Sequence, residues 1–372
     1  MSGTTGRSAG WRVDDLKFMK IALQLSQGGL GHTEPNPMVG AVAVKDGRLL
    51  AAGFHRRFGA PHAECMALDH LAVAGATLYL TLEPCSHFGK TPPCVDLIIA
   101  KKVRRVIAAM VDPNPLVNGS GFARLKAAGI ETRAGLCREQ AERLNRHYLT
   151  FMRTGLPYVA IHAGLSLDGK MTDKAGRSRW ITSPELRRCA HSLRGEFSAI
   201  LAGRNTILAD NPRLTLREPG WGGKRLLRVV LDSGNSLPRH LNIFKDQQRS
   251  PLAIFSSLDS GNMEKKTARH FFVPADGLGL SLPAVLGKLA EMGVASLLVE
   301  GGGRVIDSFF RLGLFDELVL FHSGGLIGGR DAVQPFGSGV ENLAQALQLQ
   351  DCHWSHFASG SIMRGYRRCS PD

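Results

Sequence analysis

Several things are scarce in this chain, and each scarcity narrows what it can do. Aromatic residues make up only 7% of the 372 positions, and none interleaves with a basic stripe, which argues against a stacking surface for nucleic acid. There is no run of about 18 apolar residues, so no membrane-spanning helix is expected. Cysteine is sparse: seven residues, an odd number, are spread over the whole length. That excludes a disulfide framework and fits a reducing, cytoplasmic location. The first twelve residues lack an apolar segment, so they do not form a secretory signal and are expected to be a disordered tail. Long runs of one charge are also missing. The net charge of +14 comes from scattered pairs such as Arg56-Arg57, Lys101-Lys102 and Arg187-Arg188. Such a diffuse field is compatible with RNA, but it suits phosphorylated small molecules and a dinucleotide equally well.

What remains is ordinary for a globular protein: 44% hydrophobic and 21% charged residues, at a length that predicts two or three domains. The chemistry concentrates between His62 and Cys94. The stretch contains His62-Ala63-Glu64-Cys65, then Glu83-Pro84-Cys85, then Thr91-Pro92-Pro93-Cys94. One histidine and two cysteines are a ligand set for a catalytic zinc, which keeps its fourth position open for water. Zinc brings the pKa of such a water to about 7. Glu64, two residues from His62, is placed to shuttle the proton. The order H-x-E, P-C, C is the pattern of zinc-dependent base deaminases. A closed, structural zinc site needs a fourth ligand, for which Cys65 and His87 are the nearby candidates.

Patterning around this stretch predicts a helix over 14–27 with Asp14 as N-cap, and strands at 39–44 and 49–54 joined by an Asp46-Gly47 turn. Next come a helix from His62 to about Ala74, a strand at 76–82 and a helix at 95–101. A strand at 105–110, a helix at 121–128 and a strand at 130–134 follow. One long helix is expected over 138–152. This order suggests a mixed sheet between helices. Pro35-Asn36-Pro37 and Pro113-Asn114-Pro115 are turns by composition; alternatively, each presents an amide to a heterocycle.

Residues 153–157 mark a boundary, giving a tail at 1–12 and domains at 13–153 and 154–372. Beyond it, strands alternate with helices. Strands are expected at 158–163, 197–201, 226–231, 252–255, 270–273, 296–299 and 317–321, and helices at 184–194, 282–291 and 305–311. A C-terminal edge hairpin pairs 352–357 with 361–366. The pattern predicts an α/β sheet, parallel in the middle with an antiparallel end. Ser183-Pro184 supplies an N-cap and a first helical residue. The junction Glu300-Gly301-Gly302-Gly303-Arg304 opens a helix, where close backbone approach and the helix N-terminus favour phosphate. Its spacing is not that of the G-x-G-x-x-G dinucleotide motif. Ser166-Leu167-Asp168-Gly169-Lys170 is first of all a turn. Trp180 is either a cover for a cofactor or core.

The motifs together resemble a known family. The segments His62–Glu64, Thr81–His87 and Gly89–Cys94, flanked by Pro35-Asn36-Pro37-Met38-Val39-Gly40 and Asp112-Pro113-Asn114-Pro115, look like the deaminase half of the bifunctional riboflavin-biosynthesis deaminase–reductase. The eight residues between Cys85 and Cys94 are typical of that enzyme. Gly164–Gly169, Ser178–Thr182, Thr206–Pro212, Leu214-Thr215 and Glu300-Gly301-Gly302 are similar to its reductase half. The resemblance runs from about Asp14 to Arg367. It implies an N-terminal cytidine-deaminase-like α/β/α sandwich and a C-terminal dihydrofolate-reductase-like α/β domain. It implies one zinc, NADPH, and phosphorylated pyrimidine intermediates as ligands, with no nucleic acid or membrane partner and a homo-oligomer formed through the reductase half.

In the deaminase half the resemblance implies substrate contacts from Asn36, His55, Lys90 and Asn114. In the reductase half it implies NADPH contacts from Gly164, Trp180, Thr206, Asp210, Ser233, Gly302, Gly303, Arg304, Val305, Ile306, Asp307 and Ser308, and substrate contacts from Ser178, Arg194, Leu214, Arg217 and Glu300. Arg194 and Arg217 suit a phosphate, and Arg204 is a candidate reader of the 2′-phosphate of NADPH. The activity implied is hydrolytic deamination of 2,5-diamino-6-ribosylamino-4(3H)-pyrimidinone 5′-phosphate, followed by reduction of its ribosyl group to ribityl. The rival reading, motivated by charge, is an RNA-directed zinc deaminase with an accessory domain.

Overall fold

The computed structural model describes residues 10–69, 72–88, 92–258, 268–277 and 279–367. Most of the expected tail, residues 1–9, and the candidate Lys90 lie outside the described residues. The described chain divides into two compact units, one ending at Thr154 and the other beginning at Gly155. No described helix is long and apolar enough to cross a membrane.

The first unit runs α1 (Val13–Ser26), β1 (Gly40–Lys45), β2 (Arg48–Phe54), α2 (Ala63–Leu68), β3 (Thr77–Leu80), α3 (Cys94–Ala100), β4 (Arg105–Ala108), α4 (Ser120–Ala127), β5 (Glu131–Ala134), α5 (Arg138–Leu144) and α6 (Arg146–Thr154). Its sheet has the order β2-β1-β3-β4-β5. β1 is antiparallel to both β2 and β3, while β3, β4 and β5 are parallel. Alternation along the strands feeds two cores. Ala41, Ala43, Leu78 and Leu80 face one side with Val95 and Ile98, and Val42, Val44 and Tyr79 face the other with Phe18 and Met19. The sheet is therefore covered on both faces by helices.

Three expectations need correction. Arg12, not Asp14, caps α1; the Asp15 carboxylate accepts its backbone N–H at 3.1 Å. The helix expected from His62 to Ala74 is only α2, with His62 as its N-cap. The long helix over 138–152 is two helices broken at Asn145. There the Asn145 side chain takes the Met38 N–H at 2.7 Å and donates to the Met38 carbonyl at 3.0 Å. A tertiary clamp thus overrides local helix propensity.

The second unit runs β6 (Tyr158–Leu165), α7 (Pro184–Leu193), β7 (Ala199–Gly203), α8 (Arg204–Asp210), β8 (Leu227–Leu231), β9 (Leu252–Ser256), β10 (Arg269–Phe272), the short pair β11 (Ala275–Asp276) and β12 (Gly279–Leu280), α9 (Leu282–Glu291), β13 (Ser296–Val299), α10 (Gly303–Arg311), β14 (Glu317–Ser323), β15 (Gln350–Phe357) and β16 (Gly360–Tyr366). The main sheet has the order β10-β9-β8-β7-β13-β6-β14-β16-β15. It is parallel from β10 to β14, and β16 and β15 add an antiparallel end. As expected, Ser183 caps α7: its hydroxyl accepts the Leu186 N–H at 3.2 Å, with Pro184 next. The central strands β7 and β13 are buried along their whole length, which is why they lack polar alternation.

Candidate active sites in the two units

The first site is built from junctions. His62 precedes α2, Cys85 follows β3 on a Pro84 turn, and Cys94 is the first residue of α3 after Pro93. Proline cannot continue a strand ladder but tolerates a helix start, so both prolines fix where the chain turns. The ligand atoms of His62, Cys85 and Cys94 all lie within 4.8 Å of one another. His62 Nδ1 is 3.3 Å from Cys94 Sγ and 3.6 Å from Cys85 Sγ. Two donors on a tetrahedron with zinc bonds of about 2.0–2.3 Å stand about 3.6 Å apart, so this donor set fits zinc. Among the described residues no fourth His, Cys, Asp or Glu joins the group. That leaves the closed, structural alternative without its extra ligand.

The donors share protons among themselves. The bond with Cys85 raises the His62 imidazole to about 9. Bonds from Cys94 and then His62 bring the Cys85 thiol down to about 4 despite its burial. Bonds to Cys65 and Cys85, together with burial, push the Cys94 thiol up. A divalent cation takes the place of such protons when it binds. Glu64, in the first turn of α2, is buried at 4% exposure. Burial pushes its carboxyl up to about 7, and the nearby Cys85 charge adds to this. A carboxyl poised near neutrality is suited to both taking and giving a proton.

Asn36 and His55 join this site. The Asn36 amide nitrogen is 3.3 Å from His55 Nε2, and the His55 and His62 rings meet edge to face at 5.4 Å. His55 Nδ1 lies 3.1 Å from the Pro61 carbonyl and so carries the proton, leaving Nε2 to accept from Asn36. Burial lowers the His55 pKa and keeps the ring neutral. The Asn36 side-chain oxygen is then the group left for a ligand. Asn114 is held differently: its side-chain oxygen accepts from Leu116 N–H at 3.0 Å and its own N–H donates to Asp112 at 2.9 Å.

The second site is a cavity of about 1220 Å³ along the C-terminal ends of the parallel strands. Its walls include Gly164, Ser178, Trp180, Arg194, Thr206, Asp210, Leu214, Arg217, Ser233, Glu300, Gly302, Gly303, Arg304, Val305 and Ser308. Two expected contacts are not on the wall. Ile306 is fully buried in the core, and Asp307 is bonded to Ser338 instead. A helix shows only part of its circumference to one side, so a continuous run of contacts along α10 is not available. Trp180 is not core: it is 68% exposed, with the Arg187 guanidinium 4.3 Å over its ring.

α10 points its N-terminus at the cavity, with Gly302 as N-cap. A Cβ on Gly303 would stand 2.6 Å from the Gln334 carbonyl oxygen, and one on Gly301 would stand 2.6 Å from Val305 Cβ. Only glycine permits this turn. The resulting cradle of backbone N–H groups at a helix start fits a phosphate of NADPH.

Arg194 and Glu300 form a two-pronged pair: Nε to Oε1 at 2.8 Å and Nη2 to Oε2 at 2.6 Å. Arg194 Nη1 donates to the Thr215 carbonyl at 3.2 Å. The fork expected to bind a phosphate is therefore occupied, and Arg217 is left as the cation for that role. Burial alone would raise the Glu300 carboxyl, but the charge and bonds of Arg194 outweigh it and hold the group below its usual range. Two histidines that sequence reasoning did not single out complete this wall. His162 Nδ1 lies 3.8 Å from Glu300, and His191 Nδ1 lies 3.2 Å from Arg194. A histidine in the otherwise apolar strand β6 was the available signal for His162. Burial, then the charges of Arg194 and Arg217, lower His191 to about 4. Asp168 lies in a turn as expected, closed by Gly169 N–H on the Ser166 carbonyl at 3.0 Å, and its carboxylate accepts the Ile327 and Gly328 N–H groups at 3.0 and 2.7 Å.

Fold and site define a zinc-dependent deaminase joined to an NADPH-dependent reductase. Residues 12–110 match the cytidine and deoxycytidylate deaminase zinc-binding region, and residues 157–363 match the RibD C-terminal domain. The riboflavin biosynthesis protein RibD of Bacillus amyloliquefaciens is 43% identical over 339 residues, 90% of this chain and 91% of the relative. That of Aquifex aeolicus is 38% identical over 341 residues, covering 91% and 94%. Among solved structures, Acinetobacter baumannii RibD aligns with a TM-score of 0.87 at 32% identity, covering 96% of this chain and 99% of that one. A Thermotoga maritima diaminohydroxyphosphoribosylaminopyrimidine deaminase/5-amino-6-(5-phosphoribosylamino)uracil reductase aligns with a TM-score of 0.83 at 34% identity, covering 95% and 99%.

The chain belongs to the RibD family of riboflavin biosynthesis. It is a bifunctional enzyme, with a cytidine-deaminase-like N-terminal domain that uses zinc and a dihydrofolate-reductase-like C-terminal domain that uses NADPH. An RNA-directed deaminase with an accessory domain is not supported, because the second half is the reductase.

Proposed function

We propose that this chain carries out two successive steps on one phosphorylated pyrimidine. The first removes the 2-amino group of 2,5-diamino-6-ribosylamino-4(3H)-pyrimidinone 5′-phosphate as ammonia. The second reduces the ribosyl group to ribityl, giving 5-amino-6-ribitylamino-uracil 5′-phosphate. The deaminase domain occupies 13–153 and the reductase domain 154–372. The observation that carries the reading is the His62, Cys85, Cys94 triad with the buried carboxyl of Glu64 beside it. The name of the Thermotoga maritima relative supports the choice of substrate.

His62, Cys85 and Cys94 would hold the zinc, which acts as a Lewis acid and lowers the pKa of a water. Glu64 takes a proton from the attacking water and returns it to the departing amino nitrogen. Asn36, through its free oxygen, and Asn114, through its amide N–H groups, hold the two kinds of edge of the pyrimidine ring. Lys90, in the insert between the two cysteines, is proposed to meet the substrate phosphate.

In the second unit, the start of α10 with Gly302, Gly303, Arg304, Val305 and Ser308 would hold the pyrophosphate, and Gly164, Trp180, Thr206, Asp210 and Ser233 would line the rest of the cofactor path. When bound, NADPH would supply a hydride to C1′ of the ribosyl group; the ring C1′–O bond opens and a solvent proton balances the reduction. Ser178, Leu214, Arg217 and the Arg194–Glu300 pair hold the pyrimidine and its phosphate. Arg204 reads the 2′-phosphate; its Nε is fixed by Ser236 at 2.8 Å, with buried Asp232 at 3.6 Å, so the guanidinium is oriented in advance. An oligomer formed through the reductase unit belongs to the same proposal, supported by the exposed edge strand β15. So does a cytoplasmic location, supported by Cys65, Cys137, Cys189 and Cys352, thiols outside the zinc donor set.

The test is Glu64→Gln. Deamination should fall by about 10²–10⁴-fold, while one zinc per chain and NADPH oxidation on the already deaminated substrate are retained. Retained deamination, or loss of both activities with zinc still bound, would sink the reading.

A further inference from the structure

The E-P-C turn contributes Cys85, but the residue two positions earlier has its own arrangement. Glu83 follows β3 and is 3% exposed. Among the described residues its carboxylate has no cationic partner in a hydrogen bond; it accepts backbone N–H groups instead. Oε2 takes Asp112 N–H at 3.2 Å and Gly119 N–H at 2.9 Å. Oε1 takes Phe122 N–H at 3.2 Å. These three donors lie on the segment that begins after β4 and ends in the first turn of α4. Asn114 sits within that segment.

The next link is short. Asp112 Oδ1 accepts both Asn114 N–H at 2.9 Å and Tyr148 O–H at 2.7 Å. On the other side, α4 is pressed against the metal turn: a Cβ on Gly121 would stand 2.3 Å from the Pro84 carbonyl oxygen. One buried carboxylate therefore ties the cysteine-bearing turn to the asparagine-bearing turn. Burying an anion is costly unless its oxygens are satisfied. Three N–H groups and the start of α4 satisfy these. Two of the three donors, Gly119 N–H and Phe122 N–H, belong to the start of α4, whereas the third, Asp112 N–H, lies outside the helix, so the carboxylate does more than cap it.

We propose that Glu83 is a positioning residue for deamination: it sets the distance and angle between Cys85 and Asn114, and so places the pyrimidine edge against the reacting centre. This rests on the reading of Asn114 as a substrate contact. A neutral amide at position 83 keeps an acceptor oxygen but puts an N–H₂ group where a backbone N–H must be received. The Asn114 turn should shift while the fold survives.

The experiment is a double-mutant cycle on the full chain, with Glu83→Gln, Asn114→Ala and the double variant. It follows deaminase kcat and KM on the diaminopyrimidinone phosphate, zinc per chain, and NADPH oxidation as an internal check on folding. Glu83→Gln should lower kcat/KM about tenfold, mainly through KM, with one zinc per chain. The double variant should be no worse than Asn114→Ala within about twofold. If the two losses multiply instead, or if Glu83→Gln loses zinc or leaves kcat/KM unchanged, the inference is overturned. If Asn114→Ala alone leaves kcat/KM unchanged, the contact reading beneath it fails first. Should Glu83→Gln not yield a folded chain, Asp112→Ala breaks the same link one step further on and carries the same expectations.

Discussion

At the scale of single residues, burial sets the charge of one histidine in each site. His55 is neutral and its tautomer is set by Pro61 and Asn36. His191 is held at about 4 by burial and by two arginines, so it is neutral at pH 7 and adds no charge beside Arg217. Its unfolded value is near 6.5, so the unfolded chain binds the extra proton between about 6.5 and 4. Stability of the reductase unit should therefore fall as pH drops through that window, and His191→Gln should flatten the fall. Urea unfolding followed by tryptophan fluorescence reads this, because Trp180, Trp221 and Trp354 all belong to that unit. A second prediction concerns Arg204. Arg204→Ala should weaken NADPH binding about 10–100-fold, the worth of a charge-assisted contact, and leave NADH binding unchanged. Fluorescence titration with each cofactor checks it; equal losses for both would mean that Arg204 only shapes the site.

At the scale of elements, local chemistry was readable and long-range pairing was not. His62, Cys85 and Cys94 fall within one short stretch, and zinc ligation restricts them to a few residue types. The capped start of α7 and the strand β13 were equally plain, since each rests on signals adjacent in sequence. The Arg194–Glu300 pair spans 106 positions, and no periodicity announces it. Arg194 therefore looked like a free phosphate fork when it is a committed one. Asn145 broke an apparently continuous helix for the same reason: its partner, Met38, is 107 positions away. Glu83 was visible only as a letter in E-P-C, because its partners are backbone groups that carry no sequence signal. The glycine turn before α10 gives a direct test at this scale. Gly303→Ala places a methyl 2.6 Å from the Gln334 carbonyl. It should destabilise the unit by about 1–3 kcal/mol and weaken NADPH binding, measured by thermal unfolding with and without NADPH. An unperturbed midpoint in both conditions would show that the cradle tolerates a side chain.

At the scale of the whole molecule, the two units have separate cores and separate sites. The donor set for zinc lies in one, and the cavity for NADPH in the other. Their chemistry should be separable on a single purified chain. The measurement that tests this most directly is removal of zinc with a strong chelator, followed by separate assays of ammonia release and of NADPH oxidation on the already deaminated pyrimidine. Ammonia release should vanish and return when zinc is restored, while NADPH oxidation should continue throughout. Ammonia release that persists in a chain shown to contain no zinc would contradict the account, as would loss of NADPH oxidation together with the metal.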